Sequence, residues 1–271
     1  MSMANSLAFY RKGMKKGIVS GILPAVLLLG LVFLVAYVWP EFKTSAEEMQ
    51  KLLESPMYKA FYGEDAIAVG IGSFEGFFGM TAFFYIDVII IALSIFLGAG
   101  IIAREVDKKT LDISLSYPIS RRSLLLGRFA AINTYALLLP LVVFLSIAFA
   151  GAYYGENSDL LALFLALLGK YALFFTLSAL SLLCAALFLR PKASYGAAAG
   201  LILGSYILDS LGGLVESTEI LANLSLFHYL DGTTIWASGT FPVDELAIVI
   251  GIGILALIAA VEIFQRRELT Y

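Results

Sequence analysis

A single histidine and a single cysteine among 271 residues leave little room for metal or redox chemistry. His228 alone excludes paired-imidazole haem ligation and the histidine-rich metal sites that need cysteines or carboxylates nearby. Cys184 lies inside an apolar run, has no partner for an internal disulfide, and reads as a small buried hydrophobe. No apolar run carries a Gly-x-Ser motif with a histidine placed as its base, and paired glutamates with distant histidines are absent, which argues against intramembrane proteolysis. A Gly-x-x-x-x-Gly-Lys-Ser/Thr motif is also missing, so the chain has no P-loop with which to bind ATP; the glycine-rich Val69 to Met80 lacks the Lys-Ser/Thr and reads as a turn. No catalytic residue and no metal site is assigned. Charge is scarce as well: 14% of residues are charged, with a net charge of −3, too little to argue for nucleic acid or an anionic partner.

Apolar residues fill the space that charge leaves. They make up 60% of the chain, against about half in soluble domains, so composition alone places it in a membrane. A spanning helix needs about 20 apolar residues to cross about 30 Å of hydrocarbon. Six stretches meet that length: 17–38, 80–103, 124–153, 160–189, 195–215 and 243–264. Trp39-Pro40 closes the first, Pro140 kinks the third, and Arg190-Pro191 stops the fourth. The expected fold is an all-α membrane protein, one transmembrane domain over residues 1–271.

Basic residues collect at Arg11 to Lys16, Arg104 to Arg128, Arg190 to Lys192 and Arg266-Arg267, segments that share one side when the number of spans is even. By the positive-inside rule both termini face the cytoplasm. Leu7, Phe9, Tyr10, Met14 and Ile18, set among Arg11, Lys12, Lys15 and Lys16, suit an amino-terminal helix lying along the inner leaflet. In the outer segment 41–79, Ser45 to Glu48 reads as a capping box before a short amphipathic helix carrying Met49, Leu52, Leu53 and Met57.

Ionisable residues inside spans are costly and suspect: Asp87, Lys170, Asp209 and Glu262. Lys170 is expected to snorkel to the outer surface; a proton relay of Asp87, Lys170 and Asp209 is the sharper alternative. His228, in Leu226 to Leu230, reads as an amphipathic ring at the outer interface. Gly196, Gly200 and Gly204 form a four-residue stripe that lets another helix approach closely, in this chain or in another.

The segment Arg104 to Arg128, REVDKKTLDISLSYPISRRSLLLGR, is far more elaborate than a membrane hairpin requires. At 100° per residue Leu111 and Leu115 share one side of a short helix and Ile113 faces the other, so one face rests on the chain's own helices and one on a soluble partner. Tyr117-Pro118 then forces the backbone out of helix, and Ser120 is placed to cap the third span.

This pattern resembles the permease subunits of type-2 ABC exporters. Between their second and third spans these carry an acid, Thr-Leu, a short run, Pro, then Ser-Arg and a basic residue. The matching positions are Glu105, Thr110-Leu111, Pro118, Ser120-Arg121 and Arg128. Leu224 to Tyr229 and the ending Phe264 to Leu269 fit the family too, whereas Lys109 and Tyr10 to Gly13 depart from it. The resemblance implies that Glu105, Thr110, Leu111, Ile113, Leu115, Pro118, Ser120 and Arg121 belong to a coupling helix seated on a separate ABC ATPase. ATP and magnesium would sit on that partner, with no cofactor in this chain. It further implies a second copy or a similar permease chain, and a multi-pass protein of a prokaryotic plasma membrane. Two other classes share the topology: a proton-coupled secondary transporter using the intramembrane charges, and a membrane scaffold that moves nothing.

Overall fold

A computed structural model of the chain describes residues 3–53, 73–107, 120–212 and 223–267. All regular structure among these residues is helical. Helix α1 spans Met3–Leu53. Its buried residues Ala25, Leu28, Val32, Val35, Ala36 and Trp39 recur every three or four positions, the spacing of one helix face. The other face exposes Leu23, Val26, Leu27, Leu34 and Tyr37, an apolar surface that lipid satisfies. At 1.5 Å per residue the 51 residues extend about 76 Å, well beyond a bilayer.

Three expectations fail on this helix. Pro40 lies inside it and does not close it, since a proline costs one backbone bond that the surrounding turns absorb. Ser45 is no cap: it is a mid-helix residue whose hydroxyl donates to the Glu41 carbonyl at 3.2 Å. The amino-terminal helix exists from Met3 but runs into the first span without a break, so it is not a separate element.

Helix α2 (Phe74–Leu93) begins six residues earlier than expected, because Ser73 accepts from Gly76 N at 3.0 Å and caps it. Phe74 to Met80 are therefore helical rather than a turn. A π-helical segment, Ser94–Ala99, then leads into α3 (Gly100–Asp107). Here the chain crosses the central helix so closely that a Cβ on Gly98 would lie 2.5 Å from the Ser178 carbonyl oxygen.

The third span is two helices, α4 (Arg121–Ala136) and α5 (Leu138–Tyr154). Pro140 has no N–H and its ring crowds the carbonyl four residues back, which is Ala136, where α4 ends. The Tyr171 hydroxyl donates to the Asn133 carbonyl at 3.1 Å beside this break. Helix α6 (Leu160–Phe188) is the core of the bundle, with Leu163, Leu173, Leu177 and Leu182 fully buried. Asp159 caps it through Leu161 N at 2.9 Å and Ala162 N at 3.1 Å.

Helix α7 covers Pro191–Gly212. A 3₁₀ turn, His228–Leu230, and the short α8 (Gly232–Ser238) precede the last helix, α9 (Val243–Arg266). Thr176 of α6 donates to the Val249 carbonyl of α9 at 2.8 Å. Leu230, Ile235 and Trp236 are buried, and Trp236 Nε1 donates to the Asp159 carbonyl at 3.2 Å. The 3₁₀ turn and α8 are thereby packed onto the bundle beside the start of α6.

Among the described residues five helical segments are long and apolar enough to cross a membrane: Gly21–Ser45, Phe74–Val106, Arg121–Tyr154, Leu160–Phe188 and Val243–Arg266. The sixth expected span corresponds to α7, which has the length but is diluted by Gly196, Gly200, Gly204, Ser194, Ser205 and Asp209. Residues 213–215 of that expected span lie outside the described residues.

Candidate functional site

Charge gathers at two levels of the bundle, one at the end that carries Arg104 to Arg128 and one among the spans. At the first level the described flanks of the basic segment are folded back onto the spans. Ser120 takes the extended conformation of a cap and accepts from Ser123 N at 3.1 Å, which starts α4. Glu105 of α3 pairs with Arg128 of α4, and Arg128 also donates to the Ile101 carbonyl at 3.2 Å. Arg104 donates to the Phe96 carbonyl in the π-helical segment at 3.0 Å. Arg121 Nη1 donates to two carbonyls at the end of α9, Arg267 at 2.6 Å and Phe264 at 3.3 Å.

Glu105, Ser120 and Arg121 thus stand at the same end of the bundle. Thr110, Leu111, Ile113, Leu115 and Pro118 lie outside the described residues. Arg121, expected in the segment that meets a partner, has its guanidinium on the end of α9. Nothing in local spacing signals this, because the acceptors lie more than 140 positions away.

At the second level, Lys170 and Asp87 form an ion pair across α6 and α2. Lys170 Nζ lies 2.9 Å from each carboxylate oxygen and donates to Oδ2. The lysine side chain is only 3% exposed, so the expected snorkelling does not occur. Gly232 makes room above it: a Cβ there would stand 2.7 Å from the Phe83 ring and 3.0 Å from Lys170 Cε. The cation also lies 5.9 Å from the Phe83 centroid. A charged lysine inside a bundle needs a counter-ion, and the acid facing it is that group.

Asp209 does not join this pair directly. Its nearest ion partner is His228, with Nδ1 3.8 Å from the carboxylate, and both are half-exposed. The direct chain of Asp87, Lys170 and Asp209 is therefore not assembled. Glu262 is exposed and pairs along α9 with Arg266 at 3.5 Å.

The glycine stripe resolves in one respect. Helix α7 packs on its own chain through Ser194, Ala198 and Ile202, all buried. A Cβ added at Gly196, Gly200 or Gly204 would meet nothing within 4 Å. Nothing in the described part of the chain stands against the stripe within that distance.

Among the described residues, five helices long and apolar enough to cross a membrane, with an acid and a lysine paired between them, define a multi-pass integral membrane protein. The chain belongs to the ABC-2 family of transporter proteins, whose profile matches residues 7–269. It is similar to an uncharacterized membrane protein, YdbK, of Bacillus subtilis (strain 168), 26% identical over 214 residues that cover 74% of this chain and 87% of that protein. Membership makes the chain the transmembrane subunit of an ABC transporter, not itself catalytic, and implies an ABC ATPase as its partner.

Proposed function

We propose that this chain is the permease of an ATP-driven exporter, a single transmembrane domain of six spans with α7 as the fifth and both termini in the cytoplasm of a prokaryotic cell. ATP and magnesium bind to the separate ATPase, and the segment 108–119 docks on it through Thr110, Leu111, Ile113, Leu115 and Pro118. Two permease chains form the working unit. The observation that carries this reading is the way the flanks of that segment are anchored, by Arg128 to Glu105 and the Ile101 carbonyl and by Arg121 to the end of α9. A segment that transmits force must be fastened at both ends to the elements it moves. ATP binding shifts the membrane part only if the ATPase interacts differently with its two states.

The test pairs association with topology. The chain should co-purify with a P-loop ATPase, and Leu111→Asp or Ile113→Asp should weaken that association, since an unpaired acid in a buried apolar contact costs more than the roughly 2–7 kcal/mol of an unpaired neutral polar group. In a Cys184→Ala background, a cysteine at Ser55 should label from outside sealed cells and one at Ser114 only from inside; external labelling at Ser114 would reverse the orientation.

A further inference from the structure

We propose that Arg121 is the strut through which the segment 108–119 moves the end of the last span, and that it does not grip the ATPase. The proposal rests on the coupling role given to that segment above. Arg121 is the first residue of α4, directly after the Ser120 cap, so any shift of the preceding segment carries its guanidinium along. That guanidinium is committed elsewhere in the fold. Nη1 reaches the carbonyls of Arg267 at 2.6 Å and Phe264 at 3.3 Å, and the group lies 5.9 Å from the centroid of the fully buried Phe264 ring.

Helix polarity makes the placement informative. The first turn of a helix favours acids and disfavours cations, so an arginine there does not serve α4 itself. The last carbonyls of a helix lack intrahelical partners and carry partial negative charge, which suits α9 as the receiver. Arginine is also the cation that holds a fixed fork geometry and stays charged at any working pH. The neighbouring Arg122 is exposed. Helix α9 in turn packs along the central α6 through the Thr176 bond, which gives motion at its end a route into the bundle.

The experiment uses the full complex of permease and ATPase in lipid vesicles, with Cys184→Ala and one spin label at a time. Labels go at Arg122→Cys on α4 and at Arg266→Cys, whose side chain is 84% exposed at the end of α9. ATP with vanadate, which traps the closed ATPase, should change label mobility at both positions. Arg121→Ala should leave the response at 122, abolish it at 266, and leave the ATPase bound. Arg121→Lys, which keeps the charge and one donor, should restore part of the response at 266. A full response at 266 in Arg121→Ala overturns the strut. Loss of the ATPase from that variant makes Arg121 a partner contact and overturns it as well. If the parent complex shows no response even at 122, the coupling role of segment 108–119 fails, and the strut falls with it. Should Arg121→Ala lose helical signal, Arg121→Lys carries the test, and an undiminished response at 266 in Arg121→Gln, which has no charge, overturns the proposal.

Discussion

Lys170 sits about 15 Å along α6 from its start, a distance at which a lysine near a membrane boundary still has the choice of reaching water. It takes the other course because Asp87 stands across the helix interface and the residues around Gly232 close over it. Removing one member of such a pair leaves a buried charge without compensation, at a cost of about 3–5 kcal/mol, whereas replacing both with apolar groups of similar volume is often neutral. Lys170→Met, which keeps the volume and strands the Asp87 carboxylate, should therefore lower the thermal unfolding midpoint of the purified subunit more than the double replacement Lys170→Met, Asp87→Leu. Equal midpoints for the single and double variants would mean that the unpaired Asp87 carboxylate carries no cost there. The sequence carried half of this result. Both residues stand out as charges inside apolar runs, but 83 positions separate them, and only the packing of α2 against α6 brings them together. The same limit hid the roles of Arg104 and Arg121, whose acceptors are backbone carbonyls that any residue could supply.

Helices whose ends are set by local chemistry were legible, and those set by tertiary packing were not. Ser120, Pro140 and Arg190-Pro191 announce their boundaries, and α4 with α5, α6 and α9 lie within a few residues of the expected spans. The run through Pro40 and Ser45 was misread because a capping pattern is also compatible with a helix interior when the helix is already propagating from upstream. The π-helical segment Ser94–Ala99 gives no sequence signal at all. Its cause lies in the neighbour: Gly98 meets Ser178 and Ser181 of α6, small residues on both sides that let the backbones approach. Gly98→Ala would force its methyl to within 2.5 Å of a backbone oxygen that no side-chain rotation relieves. Overpacking of that kind typically costs about 1–3 kcal/mol. Gly98→Ala should thus lower the unfolding midpoint, and Gly30→Ala, with open space around it, should leave it unchanged or raise it slightly. A Gly98→Ala subunit as stable as the parent would show that α2 and α6 separate easily at this level.

At the scale of the molecule, α7 presents the unsolved face. It turns Ser194, Ala198 and Ile202 toward its own chain, while Gly196, Gly200 and Gly204 run along a side with nothing of the described chain against it. Glycine in a helix interior loses about 1 kcal/mol of helix propensity relative to alanine, so a helix that repeats it every turn without an internal contact gives up stability for nothing it gains alone. Lipid offers no hydrophobic drive for helices to associate, and a smooth glycine face compensates by admitting a second backbone at short range. The permease pair proposed above supplies such a backbone. Gly200→Leu should then weaken pairing of two differently tagged copies, while the isolated subunit unfolds at nearly the parent midpoint because its own packing face is untouched. Leu203→Ala, on an exposed position of the same helix, removes volume without wedging backbones apart and should affect pairing less. The two readouts separate the alternatives. A Gly200→Leu subunit that is itself destabilised would place the stripe against the part of its own chain outside the described residues. One that keeps both its stability and its pairing would place the stripe against lipid and the pairing contact elsewhere on the molecule. Cysteines placed singly along Ala193 to Ser210 add the geometry: crosslinks between copies at a helical period through 196, 200 and 204 locate the contact on this face, and a period centred on 194, 198 and 202 contradicts the packing described here.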